Sequence, residues 1–547
     1  MKKIALLSAL LLIAFASLKS QSCLPEGITF TTQEQVDNFP SDYPGCEHIE
    51  GDLMILGGWD ILNLDSLSVI KSIGGALRLS VCFALQDITG LNSLETIGSE
   101  LEILGNEGLE QLEGFSSLQN IGDDLWAESN SNLNTINGFG ALKWIGGSIL
   151  LMYNYDLTEF AGFNNLDSIA GGILLDGNIN LTDISGLQSV NFLGGSLDLH
   201  QVPGLTDMNI FNEEIVINGN ISLIGNQNLI NLDGLQILYH FDGNLFISDN
   251  TSLESLIGLE NLTSINGYLV IDGHPLLPDF LPLSSLKHVG DDLKIVGCDS
   301  IHSLAGLTGL NEIYGDLLIQ NNDNLHDLSG LDRIRLITGD LGIKYNDKLT
   351  GLSGLEQLTS IGGEITLWMN PCIESLGSLD KLETVGDKIE IFGNNALTSL
   401  TGLENIAPGS IGYIGIWYND MLSACHVVSI CEMLASGTAN ININNNAPGC
   451  NSADEILDAC WQLVDENSAL QPMVEIFPNP ADQLIYIDKS NGLTIASITI
   501  YDFTGNRVLL VDLPTDVIDI SMLGKGIYTI QFGTHSGLVN KKLVVSR

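Results

Sequence analysis

The chain has 547 residues, 67 acidic against 20 basic, and a net charge of −47 with histidine neutral. A field of that sign repels phosphate backbones and anionic lipid head groups, which argues against nucleic-acid and membrane-surface partners. With 44% apolar residues and 59 glycines, the composition suits one elongated repeat body that turns on glycine.

Residues 1–22 read as a signal peptide. Lys2 and Lys3 form a basic start, an apolar run follows from Ile4 to Ala16, and SLKSQS is a small, polar exit. The run is too short for a comfortable membrane span, and no later stretch of 18 apolar residues occurs. Acylation of Cys23 is the weaker reading, because the preceding SQS lacks an aliphatic residue. Export is therefore expected, into a compartment that permits disulfides. Residues 23–50 read as an N-terminal cap, with a short strand over 28–31 and a short helix begun by Thr32.

From residue 51 to 424 the chain repeats a 24-residue unit, L-x-I-x-x-N-x-x-L-x-x-L-x-G-L-x-x-L-x-x-I-G-G/D-x. Its opening residue falls every 24 positions from Leu53 to Ile389, and two looser units open at Ile414 and Ile441, which makes seventeen. The opening L-x-I alternates as a half-buried strand does. The sixth position is Asn in twelve of the seventeen units, Cys at Cys82 and Cys298, and Gly58, Val202 and His274 in the rest. Stacked asparagines at one register predict an internal amide ladder. The later leucines recur every third residue, which places one inward side chain on each turn-like step. The Gly-Gly or Gly-Asp before the next strand is expected to make a tight turn through positive φ.

This pattern resembles the receptor L domain, a leucine-rich-repeat relative, and the bacterial surface proteins that carry the same coil. The resemblance covers about residues 23–460. It implies an all-β, right-handed leucine-rich-repeat solenoid of parallel sheets with about 17 coils. The receptor domains are far shorter, so no receptor ligand is carried over.

Nine cysteines sort by position. Cys23 and Cys46 bound the N-terminal cap. Cys425, Cys431, Cys450 and Cys460 fall in a C-terminal cap over 425–460, with three possible connectivities. Cys82 and Cys298 lie nine coils apart, about 43 Å at a strand spacing of about 4.8 Å. Cys298 and Cys372 are about three coils apart, beyond the roughly 7 Å limit for a bridge. All three read as unpaired.

Residues 461–472 read as a linker, and from 473 to 547 the register stops. About seven short alternating strands predict a small antiparallel β-sandwich. Pro478, Asn479 and Pro480 of PNPA, the run IYDFTGNRV, the turn from Asp519 to Tyr528 that contains Gly526, and a basic end resemble the type A sorting domain of the type IX secretion system. That resemblance implies a Bacteroidota-type cell, handling by the secretion machinery, and removal of the tail during anchoring or release at the cell surface.

No nucleophile–base arrangement, metal-spaced histidine set or phosphate loop stands out, so neither catalysis nor a cofactor is expected. The pairs Asp123–Asp124 and Asp291–Asp292 share one register, either as a solvated turn edge or as carboxylates for a cation. The variable outward letters are more informative. The fourth position presents Trp368, Phe392 and Trp417 on consecutive coils, with Tyr345 and Tyr418 at the fifth. Such a column suits stacking against sugar rings or peptide side chains, or stacking of the rings on each other to stabilise the sheet. Trp126, Met152 and Tyr153 form a second, smaller cluster. The expectation is a secreted or surface repeat protein that binds a protein or glycan, in adhesion or recognition, without catalysis. One rival is a polysaccharide-cleaving enzyme, for which Arg78, Lys294 and Lys344 are the isolated outward basic residues; another is a purely structural surface-layer component.

Overall fold

A computed structural model describes residues 21–212, 215–436, 440–462, 474–489, 494–503, 506–511, 516–534 and 537–546. The signal-peptide reading thus falls outside the described residues, except that Gln21 and Ser22 belong to the strand Gln21–Cys23. The chain is mostly β, with about seventeen solenoid turns, few helices and small antiparallel sheets at its end. It divides into two compact units, residues 1–228 and 229–547.

The first unit holds the N-terminal cap and eight coils, whose opening strands run from Leu53–Leu56 to Ile221–Ile224. Each strand pairs in parallel with the next at an offset of 24 residues, as in Leu53↔Leu77 and Leu125↔Ile149. In these eight strands the first and third residues are buried and the second and fourth half-exposed, which the L-x-I alternation anticipates. A second parallel sheet, absent from the sequence reading, is built from two-residue strands such as Ser72–Ile73 and Thr96–Ile97 just before each glycine corner. Leucines at three-residue steps fall on short 3-10 turns such as Thr89–Leu91. Phe115, Phe139 and Phe163 stack through the core with centroids 5.0 and 4.9 Å apart. The cap covers the first coil. Strand Ile28–Phe30 pairs with Leu53–Leu56, and helix α1 (Gln33–Asp42) buries Val36 and Phe39. Thr32 caps α1 through a reciprocal box with Gln35, and Cys23–Cys46 closes the segment.

The second unit holds nine coils, the C-terminal cap and the tail domain. Its opening strands run from Leu245–Ser248 to Asn440–Asn444, again parallel. The cap is helical where the sequence suggested only a cysteine cluster: α2 (Val428–Ser436) and α3 (Ala453–Gln462). Disulfides join Cys425 to Cys450 and Cys431 to Cys460, which selects one of the three connectivities. Helix α3 continues two residues past Cys460, into the expected linker. The tail forms two antiparallel sheets from seven strands among its described residues, three in one and four in the other, as expected of a sandwich.

One feature of the coil corrects the sequence reading. The Gly-Gly corner does not work through positive φ. A Cβ built on Gly98 would lie 2.1 Å from the carbonyl oxygen of Gly74, and one on Gly386 would lie 1.7 Å from that of Gly362. Glycine is needed there because successive coils touch backbone to backbone. The left-handed conformation sits at the fifth position instead. All seventeen fifth positions, from Gly57 (φ 65°) through Tyr345 (φ 56°) to Asn445 (φ 53°), adopt it. Several are not glycine, so the coil imposes this turn on whatever residue occurs.

Candidate functional site

Behind the sheet lies the predicted ladder. Asn346 Nδ2 donates to the carbonyl of Ile319 at 3.1 Å, and its backbone N–H donates to Asn370 Oδ1 at 3.0 Å. The same bonds recur from Asn322 through Asn370, Asn394 and Asn419 to Asn446. Cys82 and Cys298 occupy rungs and use their N–H groups in the same way, toward Asn106 and Asn322. Both thiols are buried, and burial pushes that of Cys298 up to about 12. These residues belong to the fold. His274 also fills a rung, with its two ring nitrogens 3.1 Å from the carbonyls of Asn250 and Ile247.

The paired acids form a second ladder. Asp124 Oδ1 accepts the N–H of Ser148, Asp292 that of Asp316, and Asp316 that of Asp340. Burial pushes the Asp292 carboxyl up, but the Asp316 N–H and Lys294 outweigh it and hold the group below the usual carboxylate range. Among the described residues no group of three or more His, Cys, Asp or Glu side chains could hold a metal ion.

The outward aromatic column is brought together as expected. Strand pairing aligns Lys344, Trp368, Phe392, Trp417 and Asn444 across consecutive coils. Trp368 and Phe392 meet edge to face at 6.4 Å, and Phe392 and Trp417 are tilted by 34° at 5.7 Å. Tyr418 adds its ring to Phe392 at 5.9 Å. Trp417 lies over its own strand, since a Cβ on Gly415 would fall 2.0 Å from its six-membered ring. Tyr345 is 43% and Tyr418 54% exposed, but no ring contact among the described residues joins Tyr345 to the row. Lys344, read from the sequence only as an isolated basic residue, joins the row: its Nζ lies 5.0 Å from the centre of the Trp368 ring. The sequence reading missed Met369, 40% exposed between Tyr345 and Gly393 at the fifth position. The positions of both follow from the register once the row is drawn. Clefts of about 370 and 540 Å³ lie elsewhere, one lined by Asp87, Thr89, Glu110 and Glu113, the other by Glu312, Asp332, Arg333 and Arg335.

Two of the three basic residues considered for catalysis are ion-paired. Arg78 contacts Asp52, Glu100 and Glu102. Lys294 lies 2.7 Å from Asp292, whose hydrogen bond pushes the ammonium's pKa up. In the tail, the PNPA motif is structural. Asn479 Nδ2 donates to the carbonyl of Lys542, and Asn479 Oδ1 accepts the N–H of Val544, both at 2.8 Å. The Tyr528 hydroxyl closes its turn on the Gly524 carbonyl at 3.0 Å, and Gly526 opens the strand Gly526–Thr534.

Residues 475–546 match the family described as the secretion system C-terminal sorting domain. The chain therefore ends in a tail read by the type IX secretion machinery, which places the protein in the secreted fraction or at the outer-membrane surface. No described helix is long and apolar enough to cross a membrane. A search of curated proteins with the whole sequence finds no match.

Proposed function

We propose that the solenoid is a non-catalytic recognition module, built from coils of the receptor L-domain type, that binds an extracellular glycan or protein along the row Trp368, Phe392, Trp417 and Tyr418, with Tyr345 at its margin. The observation that carries this reading is the in-register alignment of these rings on the outward face, where nothing in the fold requires aromatic residues. In other coils the same position holds Ser80, Asp176 or Gln320. The Trp368 Nε1 is covered and meets no acceptor. An orphaned donor costs about 1–3 kcal/mol, which speaks for a role of this ring beyond stability. Ring faces bury apolar area against sugar C–H groups or peptide side chains, and Asn442 and Asn444, paired with Gly415 and Trp417, supply amides beside them.

A lyase-type reaction needs a basic group free to accept a proton. The ion pairs of Arg78 and Lys294 keep both protonated, and Lys344, the third candidate, lies against the Trp368 ring in the proposed binding row. The test is the double variant Trp368→Ala/Trp417→Ala on a glycan array and in cell adhesion. Loss of signal with the circular-dichroism spectrum unchanged is expected; retained signal sinks the site.

A further inference from the structure

The coils opening at Leu125, Ile149 and Ile173 carry a second ring cluster, and its surroundings are anionic. Register places Met152 between Glu128 and Asp176 in one outward row, and Leu150 between Trp126 and Leu174 in the other. Trp126 Nε1 donates to Glu128 Oε2 at 3.0 Å, and the Tyr153 hydroxyl reaches Asp176 Oδ2 at a long 3.4 Å. Each carboxylate is thus tied to a ring edge. Tyr153 lies across the neighbouring coil, because a Cβ on Gly177 would fall 2.6 Å from its ring. Tyr155 stands beside it, centroids 6.5 Å apart, and the two are 41% and 47% exposed. The Asp176 charge also pushes the Tyr153 phenol's pKa up, which keeps it a donor.

On some other coils the outward acids have a cation: Asp52, Glu100 and Glu102 share Arg78, and Glu364 and Glu390 share Lys388. Among the described residues no lysine or arginine pairs with Glu128 or Asp176. The two carboxylates stand on strands two spacings apart, about 10 Å, with an apolar floor between them.

We propose that this patch binds an arginine or lysine side chain of a basic protein partner. The methylene stem lies on Met152, Leu150 and Leu174, and the charged head sits among Glu128, Asp176 and the rings of Trp126 and Tyr153. A long cationic side chain is the ligand whose parts match all three features: an apolar stem for the floor, charge-assisted hydrogen bonds for the carboxylates, and a cation for the ring faces. The chain's net charge of −47 would speed the approach of such a partner. A second copy fits poorly, because its 67 acidic residues outnumber its 20 basic ones.

The test is calorimetric titration of the full mature chain with the peptide Gly-Arg-Gly-Arg-Gly at physiological salt, which screens diffuse attraction. The double variant Glu128→Gln/Asp176→Asn keeps shape and removes the two charges. The control, Glu107→Gln/Glu113→Gln, removes two exposed charges elsewhere on the same unit. Binding by the wild type, about ten-fold or more weaker in the first variant and nearly unchanged in the control, is the expected result. A glutamate-for-arginine peptide should not bind. Equal weakening in both variants would mean diffuse electrostatics and overturn the site, as would a wild type that does not bind the peptide. Circular dichroism on both variants excludes unfolding as the cause.

Discussion

At the scale of single residues, the sixth position of the coil shows how one letter serves the whole stack. An asparagine there satisfies the carbonyl of the coil before and the N–H of its neighbour at once, so the ladder was legible from recurrence alone. His274 is the informative exception. It is buried on a rung with carbonyl oxygens at both ring nitrogens, and burial lowers its pKa from the ordinary 6.5 despite those bonds. The folded chain therefore takes up the proton less readily than the unfolded one. Stability is expected to fall as pH drops through about 6.5, by at most about 1.4 kcal/mol per pH unit from this group. His274→Asn restores the consensus rung, and chemical denaturation between pH 5 and 7.5 should show a flatter profile for the variant. Parallel profiles for the two proteins would contradict this role. The histidine was visible in the sequence as a rung, but its two-sided acceptor environment was not, since that depends on how closely the coils stack.

At the scale of elements, glycines at two positions of the coil answer to different causes that the sequence does not distinguish. Gly98 faces the backbone of the previous coil, whereas Gly105 has φ 63° and nothing within 4 Å of an added Cβ. Gly98→Ala should cost about 2–3 kcal/mol by forcing the coils apart. Gly105→Ala should cost about 1 kcal/mol through the left-handed backbone alone, and Gly105→Asn should recover most of it. Urea midpoints for the three variants check the order. If Gly98→Ala is the mildest, close approach is not what selects glycine at the corner.

The caps make a further element-scale point. Cysteine positions revealed that both ends are cross-linked, but the pairing needed α2 and α3, which bring Cys431 and Cys460 to a Cα separation of 5.9 Å. The exported, folded protein should contain three free thiols: Cys372 exposed, Cys82 and Cys298 buried. A thiol reagent is expected to label only Cys372 in the native state and all three after unfolding. Native labelling of Cys82 or Cys298 would mean that the ladder opens there.

At the scale of the whole molecule, fold and function separate by the direction a letter faces. Repetition reveals the inward letters, because every coil solves the same packing problem, and so the number of coils, the parallel sheet and the sorting tail were all readable in the sequence. The second sheet was not, because two-residue strands such as Ser72–Ile73 have no alternation to detect. The outward letters vary from coil to coil, so the sequence shows that Trp368, Phe392 and Trp417 share a row but not that Lys344 occupies one ring face or that Trp417 lies across Gly415. Those contacts depend on side-chain directions that no periodicity encodes.

The most direct test of this separation measures melting temperature and glycan-array signal on the same two variants, Trp417→Ala and Asn370→Ala. Trp417→Ala should melt within a few degrees of wild type and lose its array signal. Asn370→Ala, which removes the side-chain donor to the Ile343 carbonyl and the acceptor of the Asn346 N–H, should melt lower by about 5 °C or more and, below its transition, still bind. Undiminished array binding by Trp417→Ala would contradict the account.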